Sequence, residues 1–319
     1  MRRGVVALLA LGLHLVQSMD ETVTAKQREF NAAMVRYERD PLFRLIGSVV
    51  SVVNVALQLI MVGLLWERPI PLLQHLLAFA LAYVLADFVN GWVHLYMDSS
   101  DNYASPTGPF FAAFHLHHRT PKYRRRPLLV VYYEESGSKV WLAFVEVAAA
   151  LAIGFGIING IVAYALFYFA VLSCVAEVSH YLCHTPQNKL VRLLGRMRVL
   201  LSSRYHAQHH REDNVQYAFL NGMSDPVLNF IARRFYPGYK STTDHHYADY
   251  SGRETANRAN FSSPLTVLCG FERGPYGGAR QYQDGEDPEQ RAERRVRQVE
   301  RSNNHHEGAV LPGAQRSTR

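Results

Sequence analysis

The sequence predicts an all-α protein: a multi-pass membrane helical bundle of about four spans, with its histidines gathered at one face. Three observations lead there. Apolar residues make up 48% of the 319 and concentrate between positions 45 and 183, while 204–319 is polar and Arg-rich. Four apolar runs in that region are each about twenty residues or longer, enough for a helix to cross roughly 30 Å of hydrocarbon. Of fifteen His, eight fall in three tight groups, at 115–118, 180–184 and 206–210, with His94 close to the first.

In chain order, Met1-Arg2-Arg3 followed by Val5–Val16 has the form of a signal-like or anchor segment, 1–19, with Val16-Gln17-Ser18 as a small-residue cleavage site. Residues 20–44 are a charged, polar lead-in. Leu45–Trp66 carries no charge and is the first span; Glu67-Arg68-Pro69-Ile70-Pro71 ends it. Leu72–Met97 is the second, and its last turns bring Asp87, Asn90, His94 and then Asp98 to one face. Ionisable groups in a spanning helix are costly and face the bundle interior or a wet cavity.

Residues 99–139 read as a polar connection holding His115, His117 and His118, then Arg124–Arg126. Val140–Asn159 is the third span, with Glu146 its only charge, and Asn159-Gly160 a tight turn. Ile161–His184 is the fourth, ending in Glu177, His180 and His184 on one face. Lys189–Arg204 sets Leu190, Leu193, Leu194, Met197, Leu200 and Leu201 against Arg192, Arg196 and Arg198, as an interfacial helix does. Asp225-Pro226 reads as the N-cap and first turn of a helix reaching Phe235. Residues 45–240 form the membrane domain; 241–319 is a polar C-terminal region, read as largely disordered after about 274.

Four spans put 20–44, 99–139 and everything after 184 on one side. The opposite loops contain Arg68 and no other Lys or Arg, whereas 98–139 contains six, so the positive-inside rule makes the His face cytosolic. A cleaved signal peptide would invert this arrangement, and the charge count outweighs it. A glycan at Asn260-Phe261-Ser262 would place that face in the lumen.

Three Cys offer neither a disulfide framework nor a CxxC pair, so a metal here would be held mainly by His. Histidines at i, i+3 and i+4 aim several imidazoles at one point, and at least eight exceed what one four-coordinate ion uses. Two metals are the economical reading. Imidazole suits iron, zinc, copper and nickel alike, so the spacing does not choose among them. Glu177 and Asp87 are candidate carboxylates, as direct or supporting groups. His14 and His75 read as interfacial, and His245-His246 and His305-His306 as solvated. Arg124–Arg126 reads as a basic flank touching lipid phosphate, and nothing points to nucleic acid.

Asp87-Phe-Val-Asn90-Gly-Trp-Val-His94 with Asp98, Phe114-His-Leu-His117-His118-Arg-Thr-Pro121, His180-x-x-x-His184, Tyr205-His206-x-x-His209-His210 and Tyr217–Gly222 together resemble the Kua/CarF-type lipid desaturases. That family includes plasmanylethanolamine desaturase and a plastid phosphatidylglycerol desaturase. The resemblance implies an endoplasmic-reticulum membrane enzyme with two iron ions, using molecular oxygen to place a double bond in a phospholipid alkyl or acyl chain. The foremost reaction it implies is plasmanylethanolamine to plasmenylethanolamine. Electrons would come from a cytochrome b5-type or ferredoxin donor.

Carried over by position, the ligands are His94, His117, His118, His180, His184, His206, His209 and His210. The pattern departs in three places: 122–135 contains no His, Asn214 stands where another is expected, and Tyr205 stands in place of a further one. Either His115, Asp98 or Glu134 replaces a missing donor, or one metal site is incomplete. The alternatives are a fatty-acid or sterol hydroxylase-type di-iron oxidase, and a non-catalytic metal- or lipid-binding membrane paralogue. A zinc hydrolase is disfavoured by the absence of HExxH.

Overall fold

A computed structural model describes residues 25–119, 125–185, 187–238 and 250. The chain divides into units 1–265 and 266–319, and every described residue lies in the first. The signal-like segment, His245-His246, the Asn260 sequon and the C-terminal tail lie outside the described residues. Those residues form ten α-helices and no strand: α1 (25–39), α2 (Pro41–Trp66), α3 (Leu72–Ser99), α4 (Gly108–Arg119), α5 (Leu128–Ser136), α6 (Val140–Gly154), α7 (Gly160–Cys183), α8 (Lys189–Arg196), α9 (Ser203–His209) and α10 (Asp225–Phe235).

Local chemistry sets the boundaries. Asp40 caps α2 by accepting from the Leu42 N–H at 2.9 Å, and Pro41 sits in the first turn, where its missing N–H costs nothing. Three helices, α2, α3 and α7, are long and apolar enough to cross a membrane; the α5–α6 pair, bent by 89°, makes a fourth if counted as one span. Large side chains such as Leu59, Leu72, Leu76 and Phe79 point outward. Small ones, Ala78, Ala82 and Ala86 of α3 with Ala163, Ala170 and Ala176 of α7, are buried, so the backbones approach closely.

Direction follows from the contacts. His75 packs beside Tyr164 and Asn90 bonds Ser173, so α3 and α7 run the same way. Gln58 meets both Glu146 and Cys174 while Leu65 accepts from Tyr164, so α2 opposes α7 and lies beside α6. The starts of α2 and α6 and the ends of α3 and α7 therefore share one end of the bundle. There α1 packs on α4 and the turn before it, through Phe30, Ala33 and Met34 against Phe111 and Leu116 of α4 and Tyr103 of the turn.

The structure differs from the sequence reading in four places. The third span stops at Gly154 after 15 residues, because Ile157 N–H bonds back to Ala152 and Gly156 turns left-handed at φ 67. Asn159 then caps α7 by accepting from Val162 N–H at 3.0 Å. Residues 99–139 are not a plain connection but contain α4 and α5. The amphipathic helix ends at Arg196, two residues before Arg198 at φ 55. Ser224, not Asp225, occupies the N-cap position of α10; Asp225 lies in its first turn and accepts from Ala218 N–H at 2.9 Å.

Gly91 is where α10 meets α3. A Cβ there would lie 2.4 Å from Leu228 Cδ1 and 3.1 Å from Ala218 Cα. Gly91→Val should destabilise the detergent-solubilised protein by about 1–3 kcal/mol through overpacking. Gly63→Ala, whose new methyl meets nothing within 4 Å, should not lower the unfolding temperature. Thermal unfolding of both variants checks this.

Candidate metal centre

Four helices deliver donors to the shared end. The last turns of α3 carry His94 and Asp98, and the end of α7 carries His180 and His184. His117 and His118 sit on α4, and His206, His209 and His210 on α9 and its cap. These residues sort into two groups, each with its ligand atoms within 4.8 Å of one another.

The first group is His117, His180, His184, His206 and His210. His184 Nε2 lies 3.0 Å from His206 Nε2 and 3.2 Å from the Nε2 atoms of His117 and His180; His206 and His210 are 3.1 Å apart. One nitrogen holds one proton or one lone pair, so hydrogen bonding satisfies only one such contact at a time. Adjacent donors about 2.1 Å from a common ion stand roughly 3 Å apart, so a cation satisfies all of them. The donor set fits a metal.

The second group is His94, Asp98, His118 and His209, all buried. The Asp98 carboxylate lies 3.2 Å from His118 Nε2, 3.3 Å from His94 Nε2 and 3.4 Å from His209 Nε2. Behind this group, Tyr217 carbonyl accepts from His94 Nδ1 at 2.7 Å and Val215 carbonyl from His209 Nδ1 at 2.9 Å. Those bonds put the proton on Nδ1 and leave each Nε2 lone pair facing the carboxylate, the supporting arrangement metal-bound imidazoles use.

The groups are joined by two dipeptides. His117 and His118 are neighbours on α4, and His209 and His210 neighbours at the end of α9, yet each pair gives one residue to each group. Successive residues on a helix point about 100° apart, which lets one dipeptide serve two sites.

Burial, then neighbouring histidines, holds His118 and His206 well below the usual imidazole range. Burial and then His209 hold His184 down at about 4. At neutral pH these rings are uncharged, as ligation requires.

The other sequence candidates lie elsewhere. His115 is turned away: Nδ1 bonds the Tyr103 hydroxyl at 2.8 Å and Nε2 the Met97 carbonyl at 2.7 Å, tying α4 to the end of α3. Asp87 accepts from the N–H groups of Asn221, Gly222 and Ser224 and from the Ser224 hydroxyl, clamping the segment before α10. Glu134 is held by Arg126, which also bonds Glu135 at 2.5 Å. Glu177 lies 3.9 Å from His180 Nδ1 and pairs with Lys139 at 2.7 Å.

Lys139 enters the sequence reading only within the count of six basic residues over 98–139. It is buried and also bonds Asn90, so one cation joins α3, α6 and α7 just behind the first group. The signal available was a lone Lys directly before an apolar run whose neighbours carry a lone Asn and a lone Glu.

Residues 83–237 match the lipid desaturase domain family. The chain carries a lipid desaturase domain. This is the family type that the resemblance implied, and the matched stretch contains every donor of both groups. No curated protein and no solved structure matches the chain. A lipid desaturase domain of this kind is oxidoreductase machinery acting on membrane lipid, in keeping with its three to four spanning-length helices.

An imidazole depressed on folding makes stability pH-dependent with a defined sign. Between the ordinary 6.5 and about 4 for His184, the unfolded chain takes up a proton that the folded chain refuses. Stability is full above that window and is lost as pH falls through it. The unfolding temperature of metal-stripped protein should fall between pH 6.5 and 4, and His184→Gln should flatten the fall; scans at several pH values check this.

Proposed function

We propose that this protein is a di-iron, oxygen-dependent desaturase acting on an alkyl or acyl chain of a membrane phospholipid, with conversion of plasmanylethanolamine to plasmenylethanolamine as its reaction. The observation that supports it most is the pair of converging donor groups inside a lipid desaturase domain. In this reading His117, His180, His184, His206 and His210 hold one iron. His94, His118, His209 and Asp98 hold the other, with Asp98 standing in for a histidine the family pattern leads one to expect.

Iron bound there would supply the oxygen-activating chemistry that an unactivated C–H bond requires. The reaction balances when the chain gives up two hydrogens and oxygen takes them with two electrons and two protons, leaving a double bond and two waters. The side chains hold and orient. His94 and His209 are locked by the Tyr217 and Val215 carbonyls. The Lys139–Glu177 pair backs His180, and Tyr103 with His115 fixes α4 on α3.

Placed in the endoplasmic reticulum with the His face cytosolic, the centre meets a cytochrome b5-type donor from the water side, or a ferredoxin in a plastid. Expression in cells lacking plasmalogen desaturase should restore vinyl-ether lipids, read by lipid mass spectrometry. His180→Ala and His209→Ala should each abolish the product. An iron-loaded protein that adds a hydroxyl, or leaves every lipid unchanged, would overturn the assignment.

A further inference from the structure

We propose that the outward half of α8 is a docking surface for anionic phospholipid headgroups, with Leu190, Leu193 and Met197 entering the edge of the hydrocarbon and Lys189, Arg192 and Arg196 holding lipid phosphates. The proposal is independent of what the donor groups bind.

The helix is oriented by its packed side. Gly195 is buried, and a Cβ there would lie 3.3 Å from Ser202 Cα, so this side is pressed on the chain's own backbone. Leu201, which the sequence pattern sets in the apolar stripe, turns inward with its N–H bonded to Ser179 Oγ at 2.9 Å. Two rows remain outside. Leu190, Leu193 and Met197 are 61%, 50% and 63% exposed. Lys189, Arg192 and Arg196 repeat the same spacing one residue earlier and are exposed as well. One residue is about 100° around a helix, so the cationic row lies beside the apolar row, and the apolar row lies roughly opposite Gly195. Among the described residues none of the three cations is paired with a carboxylate; Arg192 donates to the Gln187 carbonyl at 3.1 Å.

The depth of this surface says what covers it. α3 carries no Asp, Glu, Lys or Arg before Asp87, and its outward residues just before that point, Leu81, Val84 and Leu85, are apolar. There the Tyr83 hydroxyl donates to the Val199 carbonyl at 2.6 Å, and Asp87 holds Asn221, Gly222 and Ser224. The turn after α8 and the entry to α10 are thus pinned where the apolar run of α3 stops, and Met223 and Val227 add exposed apolar side chains beside them. A water-borne protein reaches the headgroup boundary and no deeper. A bilayer takes up the apolar row and, where its headgroups are anionic, neutralises the row beside it. The chain passes directly from α8 to α9, so the lipid surface seats the helix that carries His206 and His209.

Hydrogen–deuterium exchange of the full-length protein in nanodiscs tests this. Mixing phosphatidylglycerol into phosphatidylcholine discs should slow exchange over 189–197 by at least about fivefold, the share of a single cation near an anionic surface. Exchange over α4 should not change, which checks that the fold is intact. Lys189→Gln, Arg192→Gln and Arg196→Gln together should cancel the difference between the discs, and high salt should do the same to the wild type. Leu193→Gln should speed exchange in both discs and keep the phosphatidylglycerol effect. Equal exchange of the wild type in both discs, or a slowing that persists in the triple variant, would overturn the proposal. So would protection that appears only when a soluble cytochrome b5 domain is added, which would assign the surface to an acidic protein.

Discussion

Two adjacent histidine pairs, His117-His118 on α4 and His209-His210 at the end of α9, impose the constraint on which the site depends. Each pair sends one imidazole to each donor group. That is possible only if α4 and α9 both lie across the ends of α3 and α7, because α3 supplies donors to one group alone and α7 to the other alone. The two groups are therefore one assembly, and a shift of either crossing helix disturbs both.

The rest of the bundle's polar chemistry serves this arrangement. Buried polar groups in an apolar bundle are expensive unless fully bonded, and here they fasten helices beside the centre. Lys139 draws Asn90 and Glu177 together, Asn54 of α2 bonds the Ser136 carbonyl at 2.9 Å, and Asp87 gathers three backbone N–H groups of the segment leading into α10. Removing one partner of such a contact leaves the other stranded, so these groups act as a set.

Much of this was legible in the sequence, and the reasons are local. Apolar run length fixes α2, α3 and α7 because a helix's reach is a count of residues. The i, i+4 spacing puts His180 with His184, and His206 with His210, on shared helix faces, whereas His209 turns to the other group. Pairing between helices was not legible. Spacing cannot say that His115, two residues from His117, faces Tyr103 and Met97 while its neighbours face the donors. Nor can it say that Asp98 rather than Asp87 sits among imidazoles, since both follow the same face of α3 and only the approach of α4 and α9 distinguishes them. The left-handed turns at Gly156 and Arg198, which shorten α6 and α8, depend on capping bonds that composition does not reveal.

Mössbauer spectroscopy of iron-57-loaded protein, with iron counted per chain, tests the central claim most directly. Two irons per chain in two inequivalent environments are expected, one all-imidazole and one with a carboxylate. Asp98→Ala should remove or alter the carboxylate-bearing signal and leave the other. A single iron per chain, or two identical environments untouched by Asp98→Ala, would contradict the account.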